Sequence, residues 1–191
     1  MTNYSPEQKI FLTYKTRMTS EARLKRTALT SHALLSWYSL CLIFLSFLDI
    51  SQRFEIENSN LISACVSVVI FGLSLFIYGE RYNERAEQFK ACYLKLKHLY
   101  ECSLNVPEKM KRYSEILGQY DNQSDADYDE MVFDAFIRKQ PLWNANGPVE
   151  ITAVVFCRVL FWRLLRAGSV LLLFVSPLIA GLLWVRPNGG A

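Results

Sequence analysis

The stretch LISACVSVVIFGLSLFIYG, residues Leu61–Gly79, decides the fold, because its 19 residues carry no formal charge. A run of this length is about what a helix needs to cross a hydrocarbon core of roughly 30 Å. A second uncharged run, ALLSWYSLCLIFLSFL, covers residues Ala33–Leu48 and stops at Asp49. In lipid the backbone must satisfy its own hydrogen bonds, so each run is expected to cross as an α-helix. Two buried helices of a soluble domain are the alternative, but such helices usually keep a polar face and these lack one.

Only residues 49–60 separate the two runs, so they are predicted to form a transmembrane hairpin. The connection contains Arg53 alone beside Glu55 and Glu57, whereas both flanks of the hairpin are basic. The flanking basic residues are Lys9, Lys15, Arg17, Arg23, Lys25 and Arg26 before it and Arg81, Arg85, Lys90, Lys95 and Lys97 after it. Because basic residues concentrate in cytoplasmic segments, this asymmetry predicts a cytoplasmic N-terminus and an external connection. The net charge of +3 is too small to argue for nucleic acid, and no direct nucleic-acid partner is expected.

The residues that carry enzyme chemistry do not form a recognisable pattern. No arrangement of nucleophile, base and acid is present, and no glycine-rich phosphate-binding motif occurs. The five cysteines lack CxxC spacing, which predicts reduced structural thiols rather than a metal site. The first 30 residues are polar, unlike a signal peptide, so we expect the first span to be retained. The sequence therefore predicts no enzyme activity, no cofactor and no metal.

Long helices are predicted on the cytoplasmic side of the hairpin. A helix over residues 5–32, with Ser5 as N-cap and Pro6 in the first turn, leads into the first span. After the second span we expect the helix to continue without a break over residues 80–104, until Val106–Pro107 ends it. Further helix is predicted over residues 108–139. A 4-3-4-3-4 spacing typical of a coiled-coil seam predicts a homo-oligomer; its positions are Tyr82, Ala86, Phe89, Tyr93, Leu96 and Tyr100.

Three acidic residues, Asp125, Asp127 and Asp129, imitate the start of a calcium-binding loop. The match fails at its sixth position, where Glu130 replaces the turn-forming glycine, and at its twelfth, where Phe136 replaces a glutamate. A solvated acidic linker is the interpretation we adopt from the sequence.

The C-terminal region is predicted to be a hydrophobic extension over residues 151–191, joined by a linker of residues 140–150. Its first part is a basic interfacial helix whose candidates for contact with lipid headgroups are Arg158, Trp162, Arg163 and Arg166. Residues 167–185 are uncharged and predict a third span, kinked near Pro177, with the C-terminus outside. A re-entrant or surface-lying tail is the alternative. The fold class is thus an all-α membrane protein with a two-helix hairpin and a third C-terminal span.

Serines are spaced so that they share one face on each span of the hairpin. These candidates are Ser36, Ser39 and Ser46 on the first span and Ser63, Ser67 and Ser74 on the second. Small hydroxyl residues permit close helix packing and interhelical hydrogen bonds. The same hydroxyls could instead line a water-filled path once several hairpins assemble. The sequence leaves both roles open.

The parts of the chain resemble a known family, the SLATT domains. The resemblance rests on the basic helix TYKTRMTSEARLKR, the uncharged hairpin, and ERYNERAEQFKACYLKLKHL directly after it. The segment KRYSEILGQYDNQSDADYDE resembles the end of those domains, although Asn122–Gln123 stands where the family usually has Asn-His. The resemblance covers roughly residues 5–139. The extension from Ile151 resembles one found in those branches of the family that occur next to reverse transcriptases.

What the resemblance implies is a two-span bacterial effector of anti-phage defence. Such an effector oligomerises, forms or gates a pore in the inner membrane, and arrests or kills the cell. Its implied partners are the lipid bilayer, copies of the same chain, and a nucleotide-signal synthase, nucleotide sensor or reverse transcriptase. The alternative function is a non-conducting membrane anchor or adaptor that recruits a cytoplasmic enzyme.

Overall fold

The capping and hydrophobic signals of the sequence produce six helices and four two-residue strands in the described residues. The computed structural model describes residues 5–50, 54–55, 59–140, 142–144, 147–149, 151–184 and 186–187. The helices are α1 Pro6–Ile50, α2 Ser59–Gly79, α3 Tyr82–Glu101, α4 Val106–Leu117, α5 Asp125–Ile137 and α6 Ala153–Trp184. The strands are β1 Phe54–Glu55, β2 Trp143–Asn144, β3 Gly147–Pro148 and β4 Arg186–Pro187. The all-α class is confirmed.

The chain divides into two compact units, which we call the polar unit and the apolar unit. The polar unit comprises the described residues of ranges 1–26 and 82–163. The apolar unit comprises those of ranges 27–81 and 164–191. Helices α1 and α6 each contribute to both units.

Helix α1 begins as its first residues predict. The backbone N–H of Gln8 donates to Ser5 Oγ at 3.3 Å, and the N–H of Ser5 donates to Gln8 Oε1 at 3.3 Å. This reciprocal pair is a capping box, with Pro6 at a position where its missing N–H costs nothing. From there α1 runs unbroken from the predicted basic helix into the predicted first span.

The predicted continuity between the second span and the following helix is wrong. Helix α2 ends at Gly79 and α3 starts at Tyr82, and Arg81 between them has a φ of 50°. A non-glycine residue in this left-handed region ends a right-handed helix. The final turn of α2 closes through hydrogen bonds from the N–H of Glu80 to the carbonyl of Phe76 and from that of Arg81 to the carbonyl of Tyr78. The boundary between the two units lies at this break.

Residues Val106–Pro107 open a helix rather than end one. Helix α3 stops at Glu101, and Asn105 caps α4 by accepting a hydrogen bond from the N–H of Glu108 at 3.0 Å. Pro107 occupies the first turn of α4, where proline is tolerated. The predicted helix over residues 108–139 is divided in two, because Ser124 caps the separate helix α5.

The core of the polar unit forms where the start of α1 meets α3, α4 and α5. One cluster consists of Ile10, Cys92, Leu96, Leu99 and Tyr113. A second consists of Leu12, Met131, Val132 and Leu142, and a third of Leu24, Ala86 and Phe89. Side chains from α1 occur in all three, so the N-terminal part of α1 is the common element of this core.

This core corrects the predicted oligomer seam at three positions. Ala86, Phe89 and Leu96 are buried against residues of α1 in the same chain, so a partner helix cannot contact them in this conformation. The 4-3 spacing is real, but the chain's own first helix occupies it. Tyr82 and Tyr93 are half-buried and Tyr100 is exposed, and their role in an oligomer stays a prediction.

Within the described part of the chain, three helices are long and apolar enough to cross a membrane, by length and composition. They lie within residues Pro6–Phe47, Leu61–Glu101 and Ala153–Gly181. Helix α6 is a single helix that contains Pro177, so the two predicted parts of the C-terminal region are continuous. Strands β1 and β4 pair Phe54 with Pro187 and Glu55 with Arg186, so α6 ends at the same end of the apolar unit as the α1–α2 connection.

The predicted linker of residues 140–150 contains local structure in its described part. Strands β2 and β3 pair antiparallel, and the N–H of Val149 donates to the carbonyl of Leu142 at 2.7 Å. Gly147 has a φ of 122°, which a residue with a side chain rarely adopts. Leu142 is buried in the second core cluster, so this segment is anchored to the polar unit.

Candidate functional sites in the two units

The serine hydroxyls of the hairpin return to their own helices. In α1, Ser39 and Ser46 donate to the carbonyls four residues earlier at 2.9 and 3.0 Å. In α2, Ser67 donates to the carbonyl of Ser63 and Ser74 to that of Phe71, both at 2.7 Å. A hydroxyl bonded in this way needs no partner from a neighbouring helix or from lipid. These four hydroxyls therefore do not tie the spans together in this conformation. Of the other two candidates, Ser36 is exposed and Ser63 half-buried.

Polar contacts between two helices of the apolar unit come instead from Trp37 and Tyr38. Trp37 Nε1 donates to the carbonyl of Phe174 at 2.8 Å, and Tyr38 OH donates to that of Leu173 at 3.0 Å. Tyr38 OH also lies 2.7 Å from Ser176 Oγ. These two aromatic residues were not predicted as contacts from the sequence. The available signal was Pro177, which removes the helical donor of a carbonyl four residues earlier.

Two of the four predicted headgroup contacts are used within the chain. Arg158 pairs with the carboxylate of Asp129, and Arg163 Nη2 lies 2.5 Å from Asp134 Oδ1 and 3.3 Å from Glu130 Oε1. Arg163 also lies over the ring of Phe133 at 4.7 Å. The prediction for Arg158 and Arg163 is corrected, because carboxylates of α5 already pair with both guanidinium groups. Trp162 and Arg166 are exposed, and their role stays a prediction.

The acidic stretch is not a solvated linker, because Asp127 is fully buried at the start of α5. Its carboxylate accepts hydrogen bonds from Ser20 Oγ at 2.8 Å, Arg23 Nε at 2.6 Å and Ser124 Oγ at 3.0 Å. Arg23 Nη2 adds a further bond at 3.1 Å, so the arginine fork binds both oxygens. Asp127 therefore joins α1 to the first turn of α5, which Ser124 caps, and its carboxylate faces an arginine rather than a cation site.

The charge of Asp127 is stabilised despite burial. Burial by itself raises the pKa of a carboxyl, but the hydrogen bonds from Arg23 and Ser20 outweigh it. The net pKa of Asp127 lies below its ordinary value. The same hydrogen bond raises the pKa of Arg23. The pair is therefore ionised throughout the physiological range.

Another cation of the polar unit, Arg17, is buried and has no carboxylate partner among the described residues. Only 1% of Arg17 is exposed, and its Nε and Nη1 have no hydrogen-bond partner among the described residues. Its guanidinium lies 5.8 Å from the centre of the Phe89 ring. Burial raises the pKa of the neighbouring Cys92 thiol, which stays neutral and cannot serve as an anionic partner. An aromatic face offsets part of the cost of burying this charge.

Comparison with protein families assigns the chain to a family of membrane effector domains. A profile of the SMODS and SLOG-associating 2TM effector domain family 5 matches residues 4–183, which confirms the resemblance to SLATT domains. The match extends through nearly all of α6, so residues 151–183 belong to the matched domain and are not an addition beyond a core ending at residue 139. No curated protein and no solved structure is similar enough to match the chain.

Proposed function

Because the chain belongs to the SMODS and SLOG-associating 2TM effector domain family 5, we propose that it is a non-catalytic effector that forms or gates a pore. The membrane is the bacterial inner membrane, and the outcome is growth arrest or death during anti-phage defence. A nucleotide-signal synthase, a nucleotide sensor or a reverse transcriptase supplies the trigger. Trp162 and Arg166 contact lipid headgroups beside the third span.

The exposed surface of α2 is the observation that carries the proposal. None of residues 61–79 is buried, although the segment is uncharged and rich in large apolar side chains. Phe71, Leu75 and Phe76 are each more than half exposed. Such a surface must be covered by lipid or by other protein. A helix covered by so little of its own chain is free to pack against copies of itself.

A conducting path requires several chains. One copy supplies three apolar helices, and the other two do not enclose α2, none of whose residues 61–79 is buried. Several copies can place one α2 each around a central path, with Ser63, Ser67 and Ser74 facing inward. Hydroxyl groups there replace part of an ion's hydration. On α3, Tyr93 is the candidate for contacts between copies, because Tyr82 packs against the third core cluster and the Tyr100 ring contacts Phe11 and Tyr14 of α1.

Replacing Ser67 with Leu is expected to abolish membrane depolarisation in cells that express the triggered system. Leucine is favourable in lipid, so α2 still inserts, but its bulk and its lack of a hydroxyl dewet a narrow path. Membrane-potential dyes measure the loss, and crosslinking in parallel reports assembly. The matched control is Val68→Leu, a neighbouring position that is 70% exposed and lies away from the serine face. Normal assembly with undiminished depolarisation by Ser67→Leu would refute the pore-lining role, and a silent wild type would favour the adaptor function.

The orientation of the chain is tested by labelling with a membrane-impermeant thiol reagent. Single cysteines at Glu55 and Arg186, in a background without native cysteines, are expected to react from outside the inner membrane. A cysteine at Lys97, whose side chain is 55% exposed, should react only after permeabilisation. The reasons are the basic flanks of the hairpin and the pairing of β1 with β4. Reaction at position 97 in intact cells would invert the topology, and a different side for 55 and 186 would exclude α6 as a complete span.

A further inference from the structure

The proline within α6 leaves a backbone acceptor that lipid cannot satisfy. Pro177 has no N–H, so the carbonyl of Leu173 lacks the donor that an ordinary residue would supply at position 177. An unpaired carbonyl is strongly unfavourable in hydrocarbon, and proline is tolerated in a span where other groups satisfy the freed acceptor. The group that donates a hydrogen bond to this carbonyl therefore restricts how α6 can pack against its neighbour.

Two hydroxyl groups meet this carbonyl. Tyr38 OH from α1 and Ser176 Oγ from α6 itself each lie 3.0 Å from the carbonyl oxygen of Leu173. The two hydroxyls are 2.7 Å apart, so they also bond to each other. Each hydroxyl has one proton to donate, and two protons are enough to satisfy the carbonyl and one hydroxyl oxygen. The carbonyl and the two hydroxyls therefore satisfy one another without a water molecule.

We propose that Tyr38 and Trp37 are positioning residues that fasten α6 to α1 through the acceptors beside Pro177. Trp37 Nε1 donates to the carbonyl of Phe174, the residue next to Leu173, so neighbouring donors on α1 meet neighbouring acceptors on α6. Two adjacent bonds fix both the rotation and the translation of one helix against the other. The Trp37 and Phe174 rings, with centres 6.4 Å apart, add contact at the same level.

The serines of α1 do not share this role. The hydroxyls of Ser39 and Ser46 donate to carbonyls of α1 itself, so these bonds do not join α1 to α6. The register of α6 against α1 therefore depends on the tyrosine, the tryptophan and the proline together. The dependence of Tyr38 on Pro177 gives a direct test, because restoring the N–H at position 177 makes the tyrosine hydroxyl dispensable.

The reporter is a cysteine pair at the far end of the same contact. A Cβ added to Gly181 would lie 3.8 Å from Leu45 Cδ2, so Leu45→Cys and Gly181→Cys bring two thiols together. The full-length protein carries this pair in a background without native cysteines and is kept in membranes. The measured quantity is the rate of crosslinking by a short bifunctional thiol reagent. Crosslinking does not require channel activity, so its result tests the helix contact independently of the proposed function.

Tyr38→Phe is expected to lower the crosslinking rate about three- to tenfold, the range that one interhelical hydrogen bond in a membrane supports. In a Pro177→Ala background the same substitution should change the rate less than about twofold, because the backbone N–H restored at position 177 supplies the carbonyl of Leu173. Comparing ratios within each background removes any effect that the substitution at position 177 has on the shape of α6. Tyr78→Phe on α2, where the tyrosine is 83% exposed, is the matched control and should leave the rate unchanged.

Three results would overturn the proposal. An equal loss in both backgrounds would mean that Tyr38 packs without regard to the proline. An unchanged rate for Tyr38→Phe beside Pro177 would mean that the hydroxyl does not fasten the helices. Complete loss of crosslinking on Pro177→Ala alone would mean that the proline itself, and not the aromatic pair, sets the register.

Discussion

Leu96→Asp is expected to unfold the polar unit, whereas Leu94→Asp on the same helix leaves it folded. Leu96 is 0% exposed in the first core cluster, beside Ile10 and Cys92. The substitution removes a buried apolar side chain and places an unpaired carboxylate in its position, a combination that costs about 4 kcal/mol or more. Leu94 is 49% exposed, so an aspartate there keeps its hydration and changes stability by less than about 0.5 kcal/mol.

Thermal unfolding and limited proteolysis of the detergent-solubilised protein distinguish the two variants. Protease sites in α3 and α4 should open in Leu96→Asp and stay protected in Leu94→Asp. The same pair separates the two explanations of the 4-3 spacing on α3. If Leu96→Asp stayed folded and lost only its crosslinked oligomers, the spacing would be an intermolecular seam after all.

Asp127→Asn is expected to destabilise the polar unit by about 3 kcal/mol, the lower end of the range for breaking a buried ion pair. The lower end applies because the side chain of Arg23 is 30% exposed and can recover some hydration. Asparagine keeps the size of the side chain but removes the charge that faces the guanidinium. Asp125→Asn, two residues earlier in the same helical turn and exposed, is the matched control and should be nearly neutral.

The effect of Asp127 should also depend on pH in a defined direction. Its pKa in the folded protein is below the unfolded value of about 3.9, so its contribution to stability is complete above that value. The contribution is lost as the pH falls through the lower folded pKa, where the carboxyl takes up a proton. The difference in Tm between wild type and Asp127→Asn should therefore be constant from about pH 7 to pH 5 and shrink below about pH 4. A difference that grows on acidification would contradict the assigned ion pair.

The sequence predicts the helices better than it predicts their partners. Charge-free runs and the Ser5–Pro6 start signal are local, and they predict the three apolar helices and the start of α1 correctly. The break at Arg81 was missed because left-handed arginine has no compositional signature. The spacing of apolar residues also identifies which face of a helix is buried, but it does not identify the segment that packs against that face. Phe89 and Leu96 therefore predicted a partner helix without indicating that α1 would be that partner.

Charged residues were misjudged for the same reason. Asp127 in a run of acidic residues resembles a solvated segment, and Arg163 beside Trp162 resembles an interfacial anchor. Each finds its counter-charge more than 25 residues away in sequence, Asp127 at Arg23 and Arg163 at Asp134. Charge pairing over such separations depends on the fold and is not encoded in spacing. The serine faces could be located from periodicity, but the bonds of their hydroxyls could not.

The hydrogen bonds of the α2 serines allow the same face of the helix to contact either lipid or water. The hydroxyl of Ser67 donates its proton to the carbonyl of Ser63 within the helix, which leaves oxygen lone pairs directed outward. In contact with acyl chains the donor stays satisfied, and only the weaker acceptor goes without a partner. In contact with water the lone pairs gain hydrogen bonds, and the proton can transfer its bond to a water molecule by a single χ1 rotation. The same helical face can therefore exchange solvents, from hydrocarbon to water, without any change in the backbone.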